Sequence, residues 1–158
     1  MTPGPDLLAV ALPGRWTIRA TNFPAWIRGD RSDPTIEYRL RRSAPLTLGD
    51  VVEYRHARQG LRQIQGVDRW RPGGGFVWRG AGMLRMLRSR WEVTGIDGEV
   101  AAIRFHRSVV TPAGVDLLVR EGAAIPELRT RAAEQLEVLG ITVEEFASFT
   151  WLAHTGSS

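Results

Sequence analysis

Residues 16 to 120 alternate between apolar and polar side chains with a period of two, and turn-forming residues interrupt the alternation at short, regular intervals. In the first run, Trp16, Ile18 and Ala20 alternate with Thr17 and Arg19. Successive side chains of a β-strand point to opposite faces, so this spacing is typical of strands with one buried face. The pattern predicts a chain built mainly from strands.

Eight strands are predicted from this alternation: Trp16 to Ala20, Ile36 to Arg41, Val52 to Arg55, Leu61 to Trp70, Gly75 to Gly80, Leu84 to Ile96, Val100 to Arg107 and Val115 to Arg120. Asp97-Gly98, between two alternating runs, is the strongest hairpin signal. Short strands at regular spacing indicate an antiparallel meander. A single apolar face on each strand favours a sheet closed around its own interior over a sandwich of two sheets.

The period changes to that of a helix after residue 126. One apolar stripe is formed by Leu128, Ala132, Leu136 and Leu139. Pro126 suits the first helical turn and Gly140 the position just past the end, so the sequence predicts a helix over 126–139. A capping box at Thr142 and Glu145 predicts one further short turn. A last strand is predicted within 149–152, and the helix is expected to pack against the outside of the barrel.

The amino-acid composition excludes several classes of chemistry and of partner. The 158 residues suit one domain, predicted to span 1–158 with its barrel over about 14–120. The chain has no cysteine and no lysine, which excludes disulfides, thiolate chemistry and Schiff bases. All 21 basic residues are therefore arginines, interleaved with acidic residues along the strands, and the formal net charge is +4. Neither nucleic acid nor membrane is expected as a partner. The apolar run over 7–12 is too short for a signal-peptide core, which predicts a soluble, cytoplasmic protein.

Four ordered features carry a resemblance to a known family. Gly14 and Trp16 form a Gly-x-Trp opening of the first strand, Val93 and Asp97 match a Val-x-x-x-Asp ending of the sixth, and Arg120 ends the last barrel strand. The helix and the short strand follow in order. The set resembles the lipocalins, in their compact bacterial type, within the calycin superfamily.

The resemblance implies an all-β, eight-stranded antiparallel up-and-down barrel with one closed and one open end, and a C-terminal helix outside. Trp16 would plug the closed end with Arg120 stacked over it, which is a structural role. The loop after the first strand, carrying Asn22, Phe23 and Trp26, would cover the mouth.

The alternation within each strand also identifies candidate site residues, namely polar and aromatic residues on the same face as the apolar ones. Tyr38 and Tyr54 share the apolar parity of their strands and are the candidate catalytic hydrogen-bond donors. The candidate substrate-binding residues are Asn22, Trp26, Trp78, Met83, Met86, Trp91, Phe105 and His106. Phe105 and His106 are alternatives, since a slip of one residue exchanges the two faces. Asp68 and Asp116 are expected to face solvent.

No metal or cofactor is expected, because the spacing of His56, His106 and His154 is not that of metal ligands and no carboxylate cluster accompanies them.

The sequence leaves two main functions open. One is a cofactor-independent cyclase of secondary metabolism that folds a polyene or polyketide by shape and one or two hydrogen bonds. The alternative is a carrier or scavenger of a hydrophobic ligand. A third, an interaction module using an arginine-rich outer face, is weaker. The expected partner is a small apolar molecule, and the protein is expected to be a monomer or homodimer.

Overall fold

The computed structural model describes residues 2–109 and 111–153, and His154 therefore lies outside the described residues. Nine strands are present: β1 (Gly14–Thr21), β2 (Arg31–Ser43), β3 (Leu46–His56), β4 (Gly60–Trp70), β5 (Phe76–Gly80), β6 (Arg88–Asp97), β7 (Val100–Phe105), β8 (Gly114–Arg120) and β9 (Thr150–Trp151). The helices are α1 (Pro5–Ala11), α2 (Pro24–Ile27), α3 (Leu128–Glu134), α4 (Leu136–Leu139) and α5 (Val143–Ala147). No helix in this part of the chain is long and apolar enough to cross a bilayer.

Strands β1 to β8 form an antiparallel barrel in which each strand pairs with the next along the chain. Closure comes from β1, which pairs with β8 on one side and with β2 on the other. The short β9 adds to the other end of β1, at Ala20 and Thr21. The predicted eight-stranded up-and-down barrel is confirmed, and so is the hairpin at Asp97-Gly98, where Asp97 pairs with Val100.

A second apolar layer covers only one side of the barrel. Outward residues of β1, β7 and β8 pack against Leu128, Leu139, Ile141 and Phe149 of the C-terminal segment. Arg104 of β7 fastens this segment by donating to both carboxylate oxygens of Glu145, at 2.9 and 2.8 Å, and to the carbonyl of Gly140. Residues on both faces of β8 are therefore buried.

Local predictions at the C-terminus are partly confirmed. Gly140 caps α4 in the left-handed conformation, at φ 66°, and the capping box between Thr142 and Glu145 is present at α5. The single helix predicted over 126–139 is wrong in detail. Gln135, at φ −117° and ψ 24°, breaks it into α3 and α4, and Pro126 precedes the first helix. The break turns α4 onto β6, where it packs beside Gly95.

One predicted strand begins too early. Residues 84–87 were expected to open the sixth strand, but Gly82–Leu84 form a 3-10 helix and β6 starts at Arg88. The apolar residues in this stretch follow a turn and not an alternating pattern. Met83 and Met86 consequently point into solvent, the first fully exposed and the second 80% exposed.

Gly95 provides a test of the outer layer. A β-carbon at this position would overlap the backbone of Val138 and Leu139. We expect Gly95→Ala to lower the free energy of unfolding by about 1–3 kcal/mol, because α4 must move off the barrel. Urea unfolding measures the change. Gly4→Ala, at a helix N-cap with no atom within 4 Å of the added carbon, is the control, expected to cost less than about 1 kcal/mol. Equal losses in the two variants would contradict the close packing described.

Candidate functional site

The barrel is plugged at one end by Trp16. Its indole is fully buried, donates from Nε1 to the carbonyl of Leu12 at 2.9 Å, and lies 4.2 Å from the guanidinium carbon of Arg120. Arg120 in turn donates to the carbonyls of Ala11 and Pro13, so it also caps the end of α1. Gly14 is required here, because it has φ +127° and a side chain would collide with the guanidinium. Leu8 and Leu12 complete the seal, which confirms the predicted geometry of Trp16 and Arg120.

A cavity of about 190 Å³ lies inside the barrel and is open at the other end. Its wall is mostly apolar and aromatic: Ile18, Phe23, Ala25, Trp26, Arg31, Ile36, Tyr38, Asp50, Val52, Ile64, Trp78, Ser89, Trp91, Phe105, Thr111 and Asp116. The short helix α2 lies at the mouth and contributes Trp26. Arg31, at the start of β2, lies over the rings of Tyr54 and Trp26, at 4.6 and 5.9 Å.

Aromatic rings form a continuous stack across the barrel interior, from Tyr38 of β2 to residues of β4, β5 and β6. Trp91 stacks on Tyr38 with ring centroids 5.5 Å apart and on Phe76 at 4.6 Å, and Trp70 meets Phe76 edge to face. Offset stacking of this kind stabilises packed rings beyond the effect of burial alone. The stack holds the indole of Trp91 in one orientation, with its N–H directed at a carboxyl.

That carboxyl belongs to a buried pair. Trp91 donates to Asp68 at 2.8 Å, and Trp78 donates to the neighbouring Asp50 at 3.1 Å. Burial, then the negative charge of Asp50, raises the pKa of Asp68 well above its usual range. The pKa of Asp50 is raised less, because a hydrogen bond from Asp68 opposes the effect of burial. Two such groups cannot both ionise at low cost, so they hold one proton between them, with Asp68 as the donor.

A third carboxyl lies on the opposite wall. Asp116 of β8 is 1% exposed, and its Oδ1 accepts a hydrogen bond from the hydroxyl of Thr21 at 2.5 Å. Burial raises the pKa of Asp116 to about 7, although hydrogen bonds from Thr21 and Trp26 oppose the rise. Asp116 therefore changes its protonation state near neutral pH.

Several sequence-predicted residues come together at this cavity. Tyr38, Trp26, Trp78, Trp91 and Phe105 all line it. The register resolves the open alternative in favour of Phe105, which points inward against Phe23 at 5.3 Å. Tyr54 is buried at the mouth, edge to face with Trp26. Burial and the neighbouring carboxylates raise the pKa of Tyr38, so its hydroxyl stays protonated. The roles assigned to these residues remain predictions.

Four predicted substrate-binding residues lie elsewhere. Met83 and Met86 are exposed on the turn before β6, because that turn follows no strand parity. His106 lies outside, 3.8 Å from the carboxylate of Glu92, since Phe105 takes the inward position. Asn22 has a structural contact: its side chain accepts from the backbone N–H of Val115 at 2.6 Å and donates to Ser148.

The buried carboxyls are what sequence reasoning missed. Asp68 and Asp116 were expected to face solvent, but they are 0% and 1% exposed. Asp50 follows Gly49, a pair of residues typical of turns, yet it lies inside β3. Ser89 also faces the cavity, and its buried hydroxyl has no hydrogen-bond partner.

Other polar clusters carry no comparable arrangement. A depression of about 400 Å³ lies on the outer face of β2, β3 and β4, and its charged groups pair with one another, as in the contacts of Arg15 with Glu53 and of Arg39 with Glu37. In residues 2–109 and 111–153, no three His, Asp or Glu side chains converge to hold a metal ion.

Comparison with solved structures places this geometry in a known class of barrel. Lobster apocrustacyanin A1 aligns with a TM-score of 0.63 at 9% identity, over 91% of this chain and 78% of its own. The siderocalin Ex-FABP aligns with a TM-score of 0.63 at 14% identity, over 92% and 96%. Aphrodisin, a sex pheromone of the female hamster, aligns with a TM-score of 0.60 at 10% identity, over 93% and 99%.

The protein is thus a closed eight-stranded barrel with a plugged base and an open mouth. Its fold is that of the lipocalins, as the resemblance implied. No family model matches the sequence, and no curated protein matches it either. At such low identity the likeness establishes the fold alone.

Proposed function

We propose that the protein binds one small, largely apolar molecule inside its barrel. The observation that carries this proposal is the open cavity of about 190 Å³, walled by the rings of Trp26, Tyr38, Trp78 and Trp91. Concave sites with apolar walls and a few placed polar groups are typical of small-molecule binding. One of the aligned structures, the siderocalin, is described as functioning through dual ligand specificities, which agrees with a binding role for the fold.

The lining supports a ring-shaped ligand. Indole and phenol faces offer large contact areas, while Asp50, Asp116 and Ser89 are the polar groups that orient the bound molecule. A cavity of about 150 Å³ accommodates benzene. The cavity here therefore has room for one ring with a short substituent, while a longer molecule would extend through the mouth.

Filling the cavity is the direct test. Ile64 lines the cavity from β4, so Ile64→Trp is expected to occupy the ligand volume and weaken the binding of propylbenzene at least about tenfold, measured by titration calorimetry. Gln65→Trp places the same side chain on the next residue, which is exposed on the opposite face of the strand, and should bind like the wild type. Measurable propylbenzene binding that is equal in both variants would contradict the proposal, because the ligand would then lie outside the barrel.

A second proposal is catalysis, namely the intramolecular cyclisation of a polyene or polyketide held in the cavity. The observation that favours it is Asp116, which faces the cavity and has a pKa of about 7. A group that titrates near the working pH is suited to general acid–base catalysis, which contributes roughly 10²–10⁴-fold. Incubation of a linear polyene with wild type and Asp116→Asn would test it, and product ratios unchanged by the wild-type protein would exclude it for that substrate. Without turnover, the protein acts as a carrier.

A further inference from the structure

We infer that the barrel cavity selects small arylalkyl amines in their cationic form, with the carboxyl of Asp116 receiving the ammonium group. This inference rests on the proposed binding function and names its ligand class. It is carried by three features of the cavity: uncompensated carboxyls, exposed ring faces and a buried hydroxyl without a partner.

The carboxyls lack a contacting cation among the described residues, although the nearby charge of Arg41 lowers the pKa of Asp50. In the described part of the chain, no arginine or histidine forms an ion pair with Asp50, Asp68 or Asp116. Their hydrogen bonds come from neutral donors: indole and hydroxyl groups and, for Asp50, the carboxyl of Asp68 and the backbone of Gly66. Buried carboxylates are normally paired with a cation or hold a metal. A bound ammonium group would provide such a cation to Asp116 once that carboxyl has lost its proton.

The ring faces around these carboxyls favour a cation. Tryptophan and tyrosine attract positive charge over their faces through the ring quadrupole, most strongly when water is excluded. Arg31 already uses the mouth in this way, with its guanidinium carbon 4.6 Å from the ring of Tyr54 and its Nε without a hydrogen-bond partner. Trp78 also lines the cavity, and its indole N–H donates to Asp50.

Ser89 supplies an independent indication of a ligand. It lines the cavity, is 7% exposed, and its Oγ has no hydrogen-bond partner. Buried hydroxyls nearly always find a partner, because an unsatisfied group is costly. The N–H groups of an ammonium ion donate to such an oxygen as readily as to a carboxylate.

Binding of a cation must be coupled to proton release. Several polar and charged groups surround Asp116. On its own side of the cavity these are Thr21 of β1, Trp26 of α2, and Tyr38 and Arg31 of β2. The pair of Asp50 and Asp68 lies across the cavity, and Arg41 lies outside the barrel wall, next to Gly49. Arg31 and Arg41 make no ion pair with Asp116 in the described residues. An ammonium ion that binds the protonated form displaces the carboxyl proton to solvent and leaves a carboxylate–ammonium pair.

The pH dependence of the binding affinity distinguishes a cationic amine from a neutral ligand. The affinity for an amine should rise about tenfold per pH unit below about pH 7 and level off above, because one proton leaves on binding. A neutral ligand that accepts a hydrogen bond from protonated Asp116 would instead bind more weakly as the pH rises.

The experiment compares phenethylamine with propylbenzene, a neutral molecule of the same shape, by titration calorimetry between about pH 5.5 and pH 8. The wild type should bind the amine at least about tenfold more tightly at the upper end of this range. Asp116→Asn should lose most of this preference and the pH dependence. Asp6→Asn, an exposed residue on α1, is the matched control and should behave like the wild type.

The outcomes are distinct. If propylbenzene binds as tightly as the amine, or if amine affinity does not rise with pH, the inference is overturned and the proposed binding function stands. If neither molecule binds, the proposed function fails and the inference with it. The wild-type pH profile decides the matter even if Asp116→Asn does not fold.

Discussion

Replacing Trp16 with alanine is expected to lower the free energy of unfolding by about 3–5 kcal/mol, since large-to-small changes at buried tryptophan cost this much. The indole is completely enclosed, holds α1 through the carbonyl of Leu12, and supports the guanidinium of Arg120. Such a loss is a large part of the roughly 5–15 kcal/mol that stabilises a typical domain. Urea unfolding followed by circular dichroism measures it.

Two variants serve as comparisons for the Trp16 prediction. Trp16→Phe keeps most of the ring but leaves the Leu12 carbonyl without its donor, and should cost about 1–3 kcal/mol. Trp151→Ala removes a half-buried indole from the outer layer, where less surface is exposed by the change, and should cost less than Trp16→Ala. If the two alanine variants lose equal stability, Trp16 is not the plug of the barrel.

Stability is expected to fall as pH rises through the acidic range, and Asp116→Asn should remove part of that fall. The folded protein holds the proton of Asp116 more tightly than the unfolded chain does, because burial raises the pKa to about 7 from an unfolded value of about 3.9. The stabilising contribution is therefore fully present below about pH 4 and is lost as pH rises through about 7. Within this window the slope is about −1.4 kcal/mol per pH unit, or of the order of 4 kcal/mol in total.

The measurement is the difference in unfolding free energy between wild type and Asp116→Asn at a series of pH values. The variant should gain on the wild type steadily from pH 4 to pH 7, because asparagine accepts the hydrogen bond from Thr21 without having to ionise. Asp6→Asn, on the exposed face of α1, should run parallel to the wild type. Parallel profiles for Asp116→Asn as well would show that this carboxyl titrates normally.

The architecture could be predicted from the sequence because its main signal is local. Ile36 and Tyr38 in β2 follow the period of two, and so do Leu48, Val52 and Tyr54 in β3. Such alternation directly reports one buried face. The prediction failed in the stretch containing Met83 and Met86. A 3-10 turn there presents apolar side chains to solvent, so the spacing of apolar residues does not report which face is buried.

The polar part of the cavity could not be predicted in the same way. In β8 both faces are buried, one by the cavity and one by the outer layer, so the strand shows no alternation from which to orient Asp116. A signal was nevertheless present. Arg120 was expected to face inward over Trp16, and Asp116 lies four residues earlier on the same strand, hence on the same face. Asp68 could have been placed on the inward face in the same way, because it lies four residues after the apolar Ile64 on the same strand.

The outer layer supports only one side of the barrel, so the barrel wall differs in stiffness between its two sides. Strands β1, β7 and β8 are backed by the C-terminal segment, whereas the outward side chains of β3, β4 and β5 are exposed or half-buried. Spreading the unbacked strands separates no second layer of packed side chains, so a bulkier guest would be accommodated by outward bending on that side. Asp116 stands on the backed half and Asp50 on the unbacked half, so swelling of the barrel would move one carboxyl away from the other.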